Sequence, residues 1–204
     1  MRKLEPRHLR KISSEEINAL PLWRYEGPIE LIRTEEELLR AVKHMEKETV
    51  LGFDTETRPS FSKGKSYPPA LVQIACHDVV FLVQLTWLPF GETLAGLLGN
   101  GNIIKTGVAI RDDIRELQRS YDFRDAGVVD LGEIARDNGL ETHGLRNLAA
   151  NFLSLRISKA VRCSNWSHKE LGRQQMVYAA TDAWISRELH LCMSELGLIS
   201  HKPS

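Results

Sequence analysis

The sequence has no excess of charge of either sign and few cysteines. Of its 204 residues, 27 are lysine or arginine and 27 are aspartate or glutamate, which gives a formal net charge of zero. No global positive field points to a nucleic acid or an anionic membrane, and a polyanionic ligand would need a local basic face or metal ions. The three cysteines, Cys76, Cys163 and Cys192, lie far apart, which argues against a disulfide framework and a thiolate zinc site.

Long apolar runs are also missing. A helix that spans a bilayer needs about 20 consecutive apolar residues. The stretch over residues 70–88 is interrupted by Gln73, His77, Asp78 and Gln84. The N-terminus lacks the apolar core of a signal peptide. We therefore expect a cytoplasmic protein with no membrane partner.

Length and composition predict one folded domain. A hydrophobic content of 42% in 204 residues is enough for a single sizeable core. Residues 1–28, which begin with several basic side chains, are predicted to form an N-terminal arm or extension that is mobile or peripheral. Residues 29–200 are predicted to form the domain itself.

The order of predicted elements indicates an α/β fold. Three early strands that include a hairpin, followed by strands alternating with helices, predict a mixed central sheet flanked by helices. The last helix has capping-box spacing at Ser167 and Glu170 and a natural stop at Gly197. Predicted strands cover residues 50–56, 71–76, 79–83, 103–108 and 128–129, and predicted helices cover residues 34–48, 93–98, 110–121, 131–138, 145–153 and 167–196.

Two carboxylates share one face of the first of these strands. Side chains alternate along a strand, so Asp54 and Glu56 point one way while Leu51 and Phe53 point the other. Two acids on one face repel each other and need cations or water nearby. For the pair alone, a solvated strand end is the simpler explanation.

Two further acids fall at inward-facing positions of predicted helices. Asp113 lies at the border of the apolar stripe of the helix over residues 110–121, whereas Asp112 points to solvent. Asp182 lies inside the apolar stripe of the last helix, one turn after Tyr178. Each acid has an ordinary explanation when taken alone: the helix dipole favours Asp113 in a first turn, and Tyr178 could donate a hydrogen bond to Asp182.

Taken together, the acids indicate a metal site. Four carboxylates and a tyrosine, from a strand, a middle helix and the final helix, all face an interior. This arrangement costs several kcal/mol unless divalent cations neutralise it. Ligands that are all oxygen favour Mg²⁺ or Mn²⁺ over zinc.

The acids and the tyrosine lie in three segments: Phe53-Asp54-Thr55-Glu56, Lys105-Thr106-Gly107-Val108-Ala109-Ile110-Arg111-Asp112-Asp113 and Tyr178-Ala179-Ala180-Thr181-Asp182. These segments resemble the exonuclease motifs of the DEDDy 3′–5′ exonucleases, in the family order, and the similarity extends over residues 31–196. Within that superfamily the sequence looks most like Werner-type exonuclease domains and their small bacterial relatives. Ribonuclease D and the proofreading domain of family A DNA polymerases are more distant relatives.

The resemblance implies the ribonuclease-H-like fold of the DEDD exonucleases. It also implies hydrolysis of single nucleotides from a nucleic-acid 3′ end with two metal ions, Mg²⁺ or Mn²⁺. By motif position, Asp54 would bridge both metals, and Glu56 and Asp182 would complete the site that holds the nucleophilic water. Asp113 would hold the second metal through water. Tyr178 would orient the attacking water by its hydroxyl.

The spacing of the third motif fits the tyrosine subclass. Tyr178 lies four residues before Asp182, whereas the histidine subclass carries its histidine five residues before, where this chain has Val177. Relatives often carry an asparagine several residues before the acid of the second motif. Here Thr106 and Ala109 occupy that neighbourhood, as in Werner-type sequences.

Local basic segments offer a way for a neutral protein to hold a nucleic acid. The loop after the first motif and the loop before the last helix could follow a phosphate backbone, although solvated loop charges explain them equally well. The candidate phosphate-binding residues are Lys63, Lys65, Arg156, Lys159 and Arg162, and the candidate stacking partners for terminal bases are Phe61, Tyr67 and Trp166, although buried aromatic residues are commoner.

The sequence therefore predicts a metal-dependent 3′–5′ exonuclease that acts on DNA, RNA or both. The alternative is a catalytically inactive nucleic-acid-binding or scaffold domain of the same fold. Such relatives usually lack one or more of the acids, and all five motif positions are filled here. A third hypothesis is an endonuclease of the same fold, which closed circular DNA would distinguish from an exonuclease.

Overall fold

The computed structural model describes residues 4–60, 64 and 66–199. Six strands and eight α-helices are assigned within these residues, together with one π-helical turn. The strands are β1 (Ile29–Ile32), β2 (Val50–Thr57), β3 (Pro69–Ala75), β4 (Val80–Gln84), β5 (Ile104–Gly107) and β6 (Val128–Asp130). The helices are α1 (Pro6–Leu9), α2 (Ser14–Ala19), α3 (Glu35–Met45), α4 (Glu92–Gly99), α5 (Ile110–Gln118), α6 (Leu131–Asp137), α7 (Leu145–Leu148), which continues into the π-helical turn Ala149–Leu153, and α8 (Arg173–Glu195).

The strands form one mixed sheet in the order β1-β4-β3-β2-β5-β6. Strands β2, β3 and β4 pair antiparallel, whereas β1 with β4, β2 with β5, and β5 with β6 pair parallel. The predicted hairpin and the predicted mixed sheet are therefore confirmed. Both follow from short apolar runs separated by turn residues.

Helices cover both faces of the sheet. On one face, α3, α4 and α5 pack on Leu51 and Phe53 of β2 and on their neighbours in β3 and β4. On the other face, the alanine-rich middle of α8 packs on Leu71, Ala75 and Leu82. Its second half packs on α6, α7 and the π-helical turn through Ile185, Leu189 and Met193. Helix α8 is thus fixed along its length, and this fixes the third motif relative to the first.

The predicted start of the last helix is wrong. Helix α8 begins at Arg173, and its N-cap is Gly172, whose backbone N–H donates to the side chain of Gln175 at 3.0 Å. The capping-box spacing at Ser167 and Glu170 is not used, because the side chain of Gln84 in β4 donates to the carbonyl oxygens of residues 168 and 169 at 2.7 and 3.0 Å. These bonds hold the segment against the C-terminal end of β4. The predicted stop is confirmed, since Gly197 has a φ of 76°.

The N-terminal segment packs on the domain. His8 is 4% exposed and stacks on Phe152, with 4.9 Å between ring centroids. Trp23 stacks on Trp184 of α8 at 4.6 Å. His8 and Trp23 therefore lie against the domain, and an arm or extension over residues 1–28 stays a prediction. A domain boundary at residue 28 stays a prediction.

Within the described residues, no helix combines the length and the apolar character that crossing a bilayer requires.

Candidate active site

Strand β2 presents Asp54 and Glu56 on the face that lies against α8. Gly52 marks this face, because a Cβ at that position would lie 2.0 Å from the backbone oxygen of Ala183 in α8. Strand and helix are therefore in direct contact. Carboxylate oxygens of Asp54, Glu56 and Asp182 lie within 4.8 Å of one another. The contact brings together acids from the two ends of the domain sequence, as the resemblance implied.

Tyr178 lies one turn before Asp182 in α8. Its hydroxyl donates a hydrogen bond to the Asp182 carboxylate. Its ring packs beside Trp166, with 6.0 Å between ring centroids, and Trp166 is fully buried. The helix and the tryptophan together hold the tyrosine hydroxyl at the acids.

Asp113 reaches the same site from the first turn of α5. Its Oδ1 accepts a hydrogen bond from Oγ1 of Thr55 in β2 at 2.7 Å. The residue before α5, Ala109, has a left-handed backbone with φ 62°, which turns the chain from β5 into the helix. Asp113 is outside the group of three acids above, yet burial followed by the charge of Asp113 raises the pKa of Asp54. All four predicted acids therefore converge.

The site carries more negative charge than the protein offsets. Burial is the largest cause of a raised pKa at each of the four acids. It brings the pKa of Glu56 to about 9 and those of Asp113 and Asp182 to about 7, and it holds the pKa of Asp54 well above its usual value. The charge of Arg162 opposes this shift at Glu56. Within the described part of the chain, none of the four forms a salt bridge.

Tyr178 shares this environment. Burial, followed by the charges of Asp182 and Glu56, raises the pKa of the Tyr178 hydroxyl above its usual value. The hydroxyl is therefore protonated at neutral pH. It can donate to or orient an oxygen ligand, but it cannot act as a base there.

The donor set fits hard divalent cations. All the candidate ligand atoms are carboxylate oxygens, which Mg²⁺ and Mn²⁺ prefer. Buried carboxylates that lack partner cations repel one another, and a divalent ion would relieve both the repulsion and the loss of hydration.

The predicted phosphate-binding residues have different surroundings. Arg162 is exposed and close enough to affect Glu56, and Lys159 is exposed on the same loop. Arg156 is half-buried in a bridge to Leu22 beside the N-terminal segment. Lys63 and Lys65 lie outside the described residues. A role in binding nucleic acid stays a prediction for all five.

Of the two explanations for Trp166, burial is the one that the structure confirms, because this side chain has no exposed surface and fills the core beneath Tyr178. Tyr67 is half-buried, with the Arg58 guanidinium 4.8 Å from its ring centroid. Phe61 lies outside the described residues. The solvent-facing position predicted for Asp112 is confirmed, since it is exposed and forms an ion pair with Arg115.

Sequence reasoning assigned no role to two residues at the site. Thr55, between the two acids of the first motif, supplies the hydrogen bond to Asp113 from the opposite face of β2. Gln73 of β3 pairs with Asp54 across the sheet. The sequence signal that could have identified both residues was a polar side chain in the middle of a buried strand, β2 for Thr55 and β3 for Gln73.

A match to the 3′–5′ exonuclease family covers residues 29–196, most of the chain. The chain belongs to the 3′–5′ exonuclease family. Curated relatives agree. The bifunctional 3′–5′ exonuclease/ATP-dependent helicase WRN of Mus musculus is 32% identical over 154 residues, which is 72% of this chain and 11% of the relative. Exonuclease 3′–5′ domain-containing protein 2 of Homo sapiens is 36% identical over 168 residues, 76% of this chain and 26% of the relative.

Solved structures match the fold of this family member. The Nibbler EXO domain of Aedes aegypti has a TM-score of 0.76 at 21% identity, over 87% of this chain and 92% of that one. RNase D of Escherichia coli has a TM-score of 0.72 at 17% identity, over 84% of this chain and 46% of that one. These structures confirm the predicted ribonuclease-H-like fold, and membership of the DEDD exonucleases is confirmed by the family match and the curated relatives. The chain spans about a tenth to a quarter of the length of the two curated relatives above.

Proposed function

We propose that this chain is a metal-dependent 3′–5′ exonuclease that hydrolyses phosphodiester bonds at nucleic-acid 3′ ends and releases nucleoside monophosphates. The observation that carries the proposal is the cluster of Asp54, Glu56 and Asp182, whose oxygens lie within 4.8 Å of one another. The acids are largely buried, and no described cation pairs with them. Membership of the 3′–5′ exonuclease family supports the same activity.

The proposed cofactors are two Mg²⁺ or Mn²⁺ ions. Bound divalent ions would supply a Lewis acid and lower the pKa of a water so that it attacks at neutral pH. Asp54, Glu56 and Asp182 are the proposed direct ligands. Asp113, which is held by Thr55 at 2.7 Å, is the proposed ligand through water.

Tyr178 is proposed to orient the attacking water. Its hydroxyl already donates to Asp182, and its raised pKa keeps it protonated. A protonated hydroxyl fixes the direction of a neighbouring oxygen without removing a proton. Arg162, the cation that affects Glu56, is proposed to contact a phosphate next to the reacting one.

The substrate is proposed to be the 3′ end of DNA, RNA or both. RNase D of Trypanosoma brucei, which shares this fold at 21% identity, was solved in complex with RNA U12. Matched single-stranded, double-stranded and recessed DNA and RNA substrates, each labelled at the 5′ end and incubated with Mg²⁺ or Mn²⁺, would determine which of them the protein degrades.

Removal of the ligands is the decisive test. Asp54→Ala and Asp182→Ala should each reduce degradation of a 5′-labelled strand to background while the circular dichroism spectrum is unchanged. Asp112→Ala is the matched control, because Asp112 is an exposed acid next to a motif acid and should keep full activity. Full activity of either site variant would reject the proposal, as would a product ladder that persists with chelator.

Tyr178→Phe tests the role of the hydroxyl. It removes one hydrogen bond to a charged group and keeps the ring, so we expect kcat to fall about 10- to 100-fold with little change in KM. Steady-state degradation rates over a range of substrate concentrations measure kcat and KM directly. An unchanged kcat would show that the hydroxyl does not orient the water.

A further inference from the structure

Gln73 is a fully buried amide without a partner. It lies in the middle of β3 and has no exposed surface. Within the described residues, neither its Nε2 nor its Oε1 has a hydrogen-bond partner. Buried polar side chains are almost always hydrogen-bonded, so an orphaned amide in a protein core calls for a specific reason.

A second glutamine in the same sheet shows what a satisfied amide looks like here. Gln84 of β4 also has no exposed surface. Its Nε2 donates to the carbonyl oxygens of His168 and Lys169 at 2.7 and 3.0 Å, and its Oε1 accepts from Nε of Arg33 at 3.1 Å. The sheet therefore accommodates a buried glutamine with both amide atoms used. Gln73 differs from Gln84 in the side chains that surround it.

The register of the sheet puts Gln73 beside the candidate metal site. Gln73 pairs with Asp54 of β2 on one side and with Leu82 of β4 on the other. Paired residues share a face, and their Cβ atoms are about 4.5–5.5 Å apart. Along its own strand, the neighbours on that face are Leu71 and Ala75, both buried and apolar. Of these four neighbours, Asp54 alone can accept a hydrogen bond from the amide.

We propose that Gln73 is a positioning residue for Asp54: when a divalent ion is bound, its unpaired Nε2 donates a hydrogen bond to the carboxylate of the cross-strand Asp54 and holds it in the ligating orientation. The inference rests on the proposed function, because it concerns the same metal site. A glutamine side chain is long enough to span a cross-strand pair. Hydrogen bonds to ligating carboxylates orient them, and their loss typically weakens metal binding about 10- to 100-fold.

Gln73→Met separates this role from simple packing. Methionine keeps the length and volume of the side chain and removes both amide atoms. Leu82→Met, at the paired position on the other side of Gln73, is the matched control, because it changes core packing without removing a polar group. Isothermal titration with Mn²⁺ alone, in the absence of nucleic acid, should show a Kd raised about tenfold for Gln73→Met and unchanged for Leu82→Met.

A second apolar side chain provides the second measurement. Gln73→Leu also removes both amide atoms, and it should raise the Mn²⁺ Kd about tenfold, as Gln73→Met does. A Mn²⁺ Kd for Gln73→Met and Gln73→Leu within twofold of wild type would overturn the inference, even if the melting temperature changes. Absence of saturable Mn²⁺ binding by the wild-type protein would instead count against the proposed function.

Discussion

Two clusters in this molecule each bring three ligand-bearing side chains together, yet they differ in charge balance. The ligand atoms of Asp54, Glu56 and Asp182 lie within 4.8 Å of one another, and so do those of Glu48, His77 and Asp78. We name the first the catalytic cluster and the second the hairpin cluster, because His77 and Asp78 form the turn between β3 and β4. Distance alone does not distinguish the two.

The hairpin cluster is neutralised from within the protein. Glu48 accepts from both His77 and Arg187, with Arg187 at 3.2 Å, and Asp78 lies 3.0 Å from Nε2 of His44. Burial is the largest single influence on the pKa of Glu48 and acts to raise it, but the hydrogen bonds from His77 and the charge and hydrogen bond of Arg187 together outweigh burial, and the pKa is lowered. In the catalytic cluster, burial also acts to raise the pKa of Glu56, and the charge of Arg162 does not outweigh it, so the pKa rises to about 9. A site for a divalent ion requires negative charge that the protein itself leaves uncompensated.

The largest expected effect is stabilisation by Mn²⁺ through the catalytic cluster alone. At a Mn²⁺ concentration about 100 times the Kd, a single bound ion adds about 2.7 kcal/mol to the free energy of unfolding. Thermal denaturation with and without Mn²⁺ should show this increase in the wild type and in Asp78→Asn, and its loss in Asp182→Asn. If Asp78→Asn abolished the increase, the ion would bind at the hairpin cluster and not at the catalytic cluster.

A smaller effect is expected from pH in the presence of chelator. The pKa of Asp182 is about 7 in the folded protein, above its value in the unfolded chain, so the folded state binds more protons between these values. The stability from this group is fully present below pH 4 and is lost as pH rises through about 7. Between pH 5 and 8, the wild type should lose on the order of 2 kcal/mol more than Asp182→Asn.

Urea unfolding at pH 5, 6.5 and 8 measures this difference. Glu36→Gln is the control, because Glu36 is an exposed acid whose ion pair is with Arg40, which stays charged throughout this range. Its stability should therefore follow that of the wild type. Parallel curves for the wild type and Asp182→Asn would mean that Asp182 is not destabilised by its surroundings.

The parts of the fold that sequence predicted are those with local causes. Thr34 caps α3 and accepts from the backbone of Glu37, as a helix start beside acidic residues indicates. The hairpin of β3 and β4 follows from two apolar runs around His77 and Asp78. The start of α8 could not be predicted, because Gln84, more than 80 residues earlier in the chain, fixes the segment before it.

The candidate site also has some features that the local sequence predicts and others that depend on tertiary structure. The inward positions of Asp54, Glu56 and Asp182 follow from the periods of strand and helix, and the resemblance to known motifs joins them. Charge balance does not follow from local pattern, because it depends on which cations the fold brings near. Trp166 illustrates this limit: the sequence left both stacking and burial open, and tertiary packing buries the side chain completely.

The smallest expected effect concerns the hairpin cluster itself. Glu48→Gln keeps the shape of the side chain and removes the charge shared by His77 and Arg187, so we expect a loss of about 1 kcal/mol in the free energy of unfolding. Nuclease activity and the Mn²⁺ Kd should not change.

The stabilisation that Glu48 provides should also depend on pH. The side-chain hydrogen bond to Glu48 raises the pKa of His77, so this stabilisation is present below pH 6.5 and is lost as pH rises through the pKa of His77 in the folded protein. Chemical denaturation should therefore show a larger loss for Glu48→Gln at pH 6 than at pH 9. A reduced Mn²⁺ affinity in this variant would show that the hairpin cluster binds the ion as well, and that charge balance does not separate the two clusters.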